Sequence, residues 1–129
     1  MSDVIHVLDS SAILCVVFNE PGIEAVKPTL NGALMSAANL AEVIAKLQDK
    51  GMPDDIVDEI IAGFKLTIAD FDEELARVAG KMRNATRAKG LSLGDRACLA
   101  LAQSRNAIAV TTDQAWKDTE HGVRILLVR

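Results

Sequence analysis

The chain has 129 residues, of which half are hydrophobic and a quarter are charged, with a formal net charge of −4 and a pI of about 5.1. This composition fits one globular domain over residues 1–129, and its apolar runs are too short to span a bilayer. The acidity excludes nucleic-acid binding by bulk positive charge alone. We expect no secretory signal, no membrane contact and a cytoplasmic location.

The first part of the chain alternates strand and helix patterns. Residues 4–8 are apolar and β-branched, which predicts a buried strand, and the next pattern, over 10–19, predicts a helix with a serine cap. A short helix over 23–30 and a strand over 32–36 follow. A helix over 37–51 then carries one apolar stripe and ends at a glycine.

The middle of the chain continues this alternation. A proline and two acids open a helix over 53–64, and a strand-like run covers 65–70. Apolar residues at helical spacing then predict one long helix over 71–90, ended by a glycine.

The run LSLGDRACLALA, residues 91–102, is predicted to be a helix with a charge in an unexpected place. On a helix, Asp95, Cys98, Leu99 and Ala102 share one face, which otherwise has the character of a buried stripe. A carboxylate on that stripe needs either a capping role or a ligand.

Two apolar runs near the end of the chain, 106–113 and 123–129, are predicted strands. Strands that alternate with helices predict an α/β fold. We therefore expect a three-layer α/β/α sandwich around a mainly parallel sheet of about five strands.

Four acids fall near predicted strand ends or helix starts. Asp9 follows the first strand, Asp113 follows the strand over 106–113, and Asp95 and Glu42 lie early in helices. Functional groups of open parallel sheets collect beyond the carboxyl ends of the strands. Clustered carboxylates repel one another, and Mg²⁺ or Mn²⁺ relieves that repulsion.

Each of these acids also has a purely structural interpretation. Asp9, Asp95 and Asp113 are good caps or turn residues, and Glu42 has Lys46 four residues on, which favours a surface ion pair. The pattern alone therefore indicates an acidic α/β domain and leaves its metal binding open. No phosphate-binding glycine motif and no Cys/His cluster is present.

Five separated blocks resemble a PIN-domain protein and, more narrowly, the VapC-type toxins of bacterial toxin–antitoxin pairs. The blocks are VLDSSAILCVVFNEPG, MSAANLAEVIAKL, GLSLGDRACLALA, AVTTDQAW and VRILLVR. The likeness runs from about residue 4 to the end, and residues 50–85 are only generically compatible. The resemblance implies a five-stranded parallel sheet and a metal-dependent endoribonuclease that acts on tRNA or rRNA.

The resemblance also assigns roles to residues. The family's four acids fall on Asp9, Glu42, Asp95 and Asp113, which would hold one or two Mg²⁺ or Mn²⁺ ions. Its auxiliary hydroxyl falls on Thr111, with Thr112 as the alternative register. Many relatives carry a further acid after the last aspartate, where this chain has Gln114, Ala115 and Trp116.

The expected partners follow from the same resemblance. They are an RNA substrate, a small VapB-like antitoxin whose C-terminal segment blocks the site, and a second copy of the chain. Residues 38–63 are the helical candidates for the homodimer face. Four basic residues near the third acidic motif are candidates for phosphate contact or simply for solvated helix charge: Arg83, Arg87, Lys89 and Arg96.

Two alternatives remain from the sequence. One is a catalytically silent PIN-like module that binds RNA or a protein. The other is a phosphoryl-transfer α/β protein, a receiver or a phosphatase, because both place an aspartate after the first strand. Ser11 stands where the phosphatase pattern has a second aspartate, which argues against that class.

Overall fold

The computed structural model describes residues 4–119 and 121–129. Five short strands form one sheet in the order β3-β2-β1-β4-β5, and every pairing is parallel. The strands are β1 (His6–Leu8), β2 (Leu34–Ser36), β3 (Thr67–Ala69), β4 (Ile108–Thr111) and β5 (Arg124–Leu127). The parallel five-stranded sheet that the sequence predicts is confirmed.

Helices connect the strands, as parallel pairing requires. They are α1 (Ser10–Val17), α2 (Ile23–Val26), α3 (Ala37–Asp49), α4 (Asp54–Phe64), α5 (Glu73–Lys81), α6 (Arg83–Thr86) and α7 (Leu93–Ser104). Short 3₁₀ turns cover Lys27–Thr29, Arg87–Lys89 and Gln114–Asp118. Within the described chain, no helix has the length and apolar character needed to cross a membrane.

The sheet has a hydrophobic cluster on each face. Because successive strand residues point to opposite faces, Val7 packs with Leu99 of α7, whereas Leu8 packs with Val43 of α3. Helices α5 and α7 contribute to the first cluster, and α1, α3 and α4 contribute to the second. The three-layer architecture is confirmed.

The single helix predicted over 71–90 is wrong. Asp72 caps the first turn by accepting a hydrogen bond from the Leu75 backbone N–H at 3.0 Å, so α5 begins at Glu73. The helix stops before Met82, whose carbonyl accepts the Thr86 hydroxyl at 2.9 Å. Apolar spacing continues across this break and therefore does not reveal it.

Candidate active site

The strand order reverses at β1 and β4. The chain runs from β1 through β2 to β3 on one side of the sheet and then returns to β4 on the other side. Ligands of open parallel sheets bind outside the carboxyl ends of the strands at such a point. Asp9 follows β1 directly and Thr111 ends β4, so both lie there. The Asp9 backbone N–H donates to the Val110 carbonyl at 3.1 Å and joins the two strand ends.

Asp9 is the most enclosed of the four predicted acids, with 4% of its surface exposed. Its Oδ1 accepts hydrogen bonds from the Ser11 hydroxyl at 2.7 Å and the Ala12 backbone N–H at 2.8 Å. Its Oδ2 accepts the Thr111 hydroxyl at 2.6 Å. Asp9 is therefore the cap of α1, and the predicted serine cap is wrong.

The environment of Asp9 disfavours its charged form. Burial raises the pKa of Asp9 from 3.8 to about 6, and the negative charge of Asp95 adds to the rise. The hydrogen bonds from Thr111, Ser11 and Ala12 lower the pKa but do not cancel the effect of burial. Asp9 is thus a buried anion that a bound cation would stabilise.

Thr111 connects Asp9 to the fourth predicted acid. It is fully buried, and its Oγ1 accepts the Asp113 backbone N–H at 3.0 Å while donating to Asp9. The Asp113 carboxylate is exposed and caps the following turn by accepting the Ala115 N–H at 2.9 Å. Among the described contacts, the Thr112 hydroxyl makes no such link, and it is the Thr112 backbone N–H that donates to Ser11. Of these two threonines, Thr111 is the one whose hydroxyl bonds to Asp9.

Glu42 does not make the surface ion pair that its spacing to Lys46 favours. Its Oε1 accepts hydrogen bonds from the Ser10 hydroxyl at 2.6 Å and the Asn39 side-chain amide at 2.9 Å. The carboxylate lies directly against Gly94 at the start of α7. Glu42 of α3 is therefore brought next to Asp95.

Asp95 does cap its own helix. Its Oδ2 accepts the Ser92 backbone N–H at 2.8 Å, and its own N–H donates to the Ser92 hydroxyl at 3.1 Å, which makes a reciprocal capping box. Burial is the largest cause that raises the pKa of Asp95, and the charges of Asp113 and Glu42 raise it further. Asp95 therefore both caps α7 and lies near the other predicted acids.

The structure brings the four predicted acids together. Asp95 interacts electrostatically with each of the other three. The pKa of the Cys98 thiol, one turn along α7, is raised by burial and further by the charges of Asp9, Asp95 and Glu42. Over residues 4–119 and 121–129, however, no three His, Cys, Asp or Glu side chains are arranged to hold a metal ion. Each of the four carboxylates accepts at least one hydrogen bond from a protein donor.

Three residues of the site were not predicted as site residues: Ser11, Asn39 and Gly94. Ser11 donates to Asp9 and accepts from the Thr112 backbone N–H at 3.0 Å, and Asn39 donates to both Glu42 and the Gly94 carbonyl. Asn39 lies three residues before Glu42 on the same helix face, a spacing that points to it. Ser11 joins residues about a hundred positions apart, and no sequence pattern shows that.

The four basic candidates have different surroundings. Arg96 donates from Nη1 to the Ala79 carbonyl at 3.0 Å and is half-buried, so it links α7 to α5. This contact accounts for Arg96 without RNA. Arg83, Arg87 and Lys89 are exposed, and Arg87 contacts the Asn84 side chain at 3.4 Å.

A comparison with protein families matches residues 6–122 to the PIN domain. The match covers nearly the whole chain. The chain belongs to the PIN domain family. No curated protein sequence matches it. The receiver and phosphatase alternatives do not fit this assignment.

Solved structures show the same PIN fold at low sequence identity. A VapBC2 complex from Rickettsia felis, bound to a DNA fragment from its promoter, is 19% identical with a TM-score of 0.75, over 97% of this chain and 99% of that one. A DNA-bound VapBC from Salmonella typhimurium is 22% identical, also with a TM-score of 0.75, and the match covers 98% of this chain and 100% of that one. VapC20 from Mycobacterium tuberculosis, a toxin that cleaves the sarcin-ricin loop, is 11% identical with a TM-score of 0.68, and the match covers 90% of this chain and 97% of that one.

The segment after Asp113 of this PIN domain has a structural explanation. Trp116 is fully buried in the cluster that contains Leu99 and Leu101, and it anchors the 3₁₀ turn over Gln114–Asp118 to the core. An apolar anchor therefore stands among the positions where the resemblance led us to look for a further acid.

Replacing Thr111 with valine tests its link to Asp9 independently of catalysis. Thr111→Val removes a hydroxyl that donates to a buried carboxylate, so we expect the pKa of Asp9 to rise further. We also expect the free energy of unfolding to fall by about 1–3 kcal/mol at pH 7. Urea denaturation measures this, and Thr111→Ser, which keeps the hydroxyl, is the matched control. Equal stability of the valine variant and the wild type would contradict the assigned role.

Proposed function

We propose that this PIN domain is a metal-dependent endoribonuclease toxin of the VapC type. The observation that carries the proposal is the convergence of Asp9, Glu42, Asp95 and Asp113 at the switch point of the sheet, with Asp9 buried and its pKa raised to about 6. A fold that brings like charges together, one of them buried, gains when a cation neutralises them.

The donor set fits a hard divalent cation. All four acids offer only carboxylate oxygens, the ligands that Mg²⁺ and Mn²⁺ prefer. Asp9, Asp95 and Asp113 would hold the ion, and Glu42 would hold the same ion, a second one or a water. When bound, such an ion lowers the pKa of a water ligand and neutralises charge on the phosphoryl oxygens of the substrate.

The remaining residues orient the carboxylates. The Ser11 and Thr111 hydroxyls fix the two oxygens of Asp9, and Ser92 holds Asp95 at the first turn of α7. Thr111 also sets the backbone position of Asp113. The attack on a phosphodiester needs these groups in fixed positions, because catalysis of this kind depends on orientation and electrostatics.

The proposed substrate is structured RNA, such as tRNA or rRNA, in the cytoplasm. The similar VapC20 is described as a toxin that cleaves the sarcin-ricin loop, which supports an RNA target for this chain. Arg83 and Arg87 are exposed on the segment that leads into α7, and we assign them to phosphate contacts. They supply the positive charge that an acidic protein needs locally.

The proposed protein partner is an antitoxin. Several similar structures are toxin–antitoxin complexes, which supports such a partner here. A groove of about 670 Å³ begins at Ser11 and passes Leu14 and Phe18 to Lys46 and Lys50. Its lining also includes the charged Glu20 and Asp49, and Ser11 connects it to Asp9. A groove with apolar and charged lining residues beside the acids suits a peptide segment that covers the site.

We also propose a homodimer. Residues 38–63 cover all but the first residue of α3 and the last residue of α4, and α4 leaves Ile56 38% exposed. An apolar side chain on that helix gives a second copy a surface to cover.

Cleavage of purified RNA by the purified, antitoxin-free chain tests the nuclease proposal. We expect discrete fragments with Mg²⁺ or Mn²⁺ and none with EDTA. Calorimetry should show Mn²⁺ binding by the folded protein. A folded protein that neither binds Mn²⁺ nor cuts RNA would contradict the proposal and favour the silent binding module.

A further inference from the structure

The Glu42 carboxylate occupies the space that a side chain at Gly94 would fill. A methyl group at Gly94 would overlap both oxygens and the carbon of that carboxylate. The backbone gives no other reason for glycine, because Gly94 lies inside α7 and its φ is not positive. Any larger residue at position 94 therefore forces Glu42 to move.

Movement of Glu42 is opposed by two donors to one of its oxygens. Ser10 and Asn39 both donate to Oε1, and the same Asn39 amide donates to the Gly94 carbonyl at 3.0 Å. Asn39 is 1% exposed, so its amide is shielded from water. Asn39 thus connects the carboxylate to the backbone of α7 on which it rests.

The orientation of the Asn39 amide is fixed by its neighbours. Its NH₂ group faces two acceptors, and a flipped amide would place oxygen against oxygen at both. In the described part of the chain, Asn39 Oδ1 is buried and has no hydrogen-bond partner. The fold therefore leaves the Asn39 Oδ1 without a protein donor and keeps both hydrogen bonds that the Asn39 NH₂ group donates.

We propose that Gly94 and Asn39 are positioning residues that hold the Glu42 carboxylate against the first turn of α7, beside Asp95. The proposal deepens the proposed function and rests on it, because it gives Glu42 a fixed place among the four acids. Its structural half, the contact between Gly94 and Glu42, is open to test without any nuclease activity.

The structural half is tested by thermal unfolding in EDTA. Gly→Ala inside a helix normally stabilises, so Gly94→Ala in a Glu42→Ala background should raise the unfolding midpoint by roughly 2–4 °C. In the wild-type background the gain should vanish or reverse, because the carboxylate is displaced. Gly80→Ala is the matched control: Gly80 lies in α5 with open space at its Cβ position, and its gain should be equal in both backgrounds.

The functional half is tested by calorimetry with Mn²⁺ and by the rate of RNA cleavage. Gly94→Ala and Asn39→Leu should each weaken Mn²⁺ binding or lower the cleavage rate by about 10–100-fold, as expected when a group that orients a ligand is lost. Equal stabilisation by Gly94→Ala in both backgrounds, or unchanged Mn²⁺ affinity and rate, would overturn the proposal. If the wild type itself neither binds Mn²⁺ nor cuts RNA, the proposed function fails, whereas the unfolding experiment still decides the Gly94–Glu42 contact.

Discussion

Asp95→Asn is expected to lower the rate of RNA cleavage by about 10³-fold while leaving the protein folded. The substitution replaces a carboxylate with a neutral amide at the residue that interacts with the other three acids. Stabilisation of charge by a metal is worth several kcal/mol, and each 1.4 kcal/mol corresponds to a factor of ten in rate.

The fold should tolerate this change. The asparagine oxygen can still accept the Ser92 N–H, so the capping box loses little. Removal of the charge also relieves repulsion from Asp113 and Glu42. Initial cleavage rates and circular dichroism measure the two effects, and Glu74→Gln at an exposed position of α5 is the control for loss of one charge. A variant that cuts as fast as the wild type would remove Asp95 from the mechanism.

The second large effect concerns stability and pH at Asp9. In metal-free protein, a pKa of about 6 instead of 3.8 means that burial of the Asp9 anion costs about 3 kcal/mol at pH 7. A carboxyl with a raised pKa binds more protons in the folded than in the unfolded state between these two values. Its contribution to stability therefore falls as the pH rises from about 4 to 6, and it stays low above that range.

Asp9→Asn should remove this loss of stability. The free energy of unfolding of the variant minus that of the wild type should grow by up to about 3 kcal/mol from pH 4 to 6 and then level off. Urea denaturation in EDTA at several pH values measures it, and subtraction cancels the other titrating groups. A difference that is flat across this range would contradict the assigned state of Asp9.

Mn²⁺ should stabilise the wild type more than Asp9→Asn at pH 7. Free Mn²⁺ at a hundred times its Kd stabilises the wild type by about 2.7 kcal/mol. The same concentration should stabilise Asp9→Asn much less, because the enclosed ligand has lost its charge.

Much of this fold follows from the sequence because its signals are local. The apolar runs that became β1 and β4 and the helical stripe of α3 each depend on a few neighbouring residues. The position of Asp9, directly after a strand, also follows from local pattern. The roles of the four acids stay predictions, and their convergence is what the structure adds.

The features that the sequence did not reveal depend on long-range contacts. The order of the five strands is set by packing of the whole chain. Glu42 has a lysine at the spacing of an ion pair, yet it accepts a hydrogen bond from Ser10, because α1 and α3 meet only in the folded chain. Arg96 resembles a surface charge in the sequence, but it reaches the Ala79 carbonyl of α5.

The most direct test of a site-specific ribonuclease is sequencing of RNA 5′ ends from cells that briefly express either the wild type or Asp95→Asn. Digestion of purified RNA with Mn²⁺ or Mg²⁺ should accompany it. We predict discrete new ends that appear only with the wild type, require the metal in vitro and lie in tRNA or rRNA. The absence of new ends in both settings, from folded protein free of antitoxin, would contradict the account.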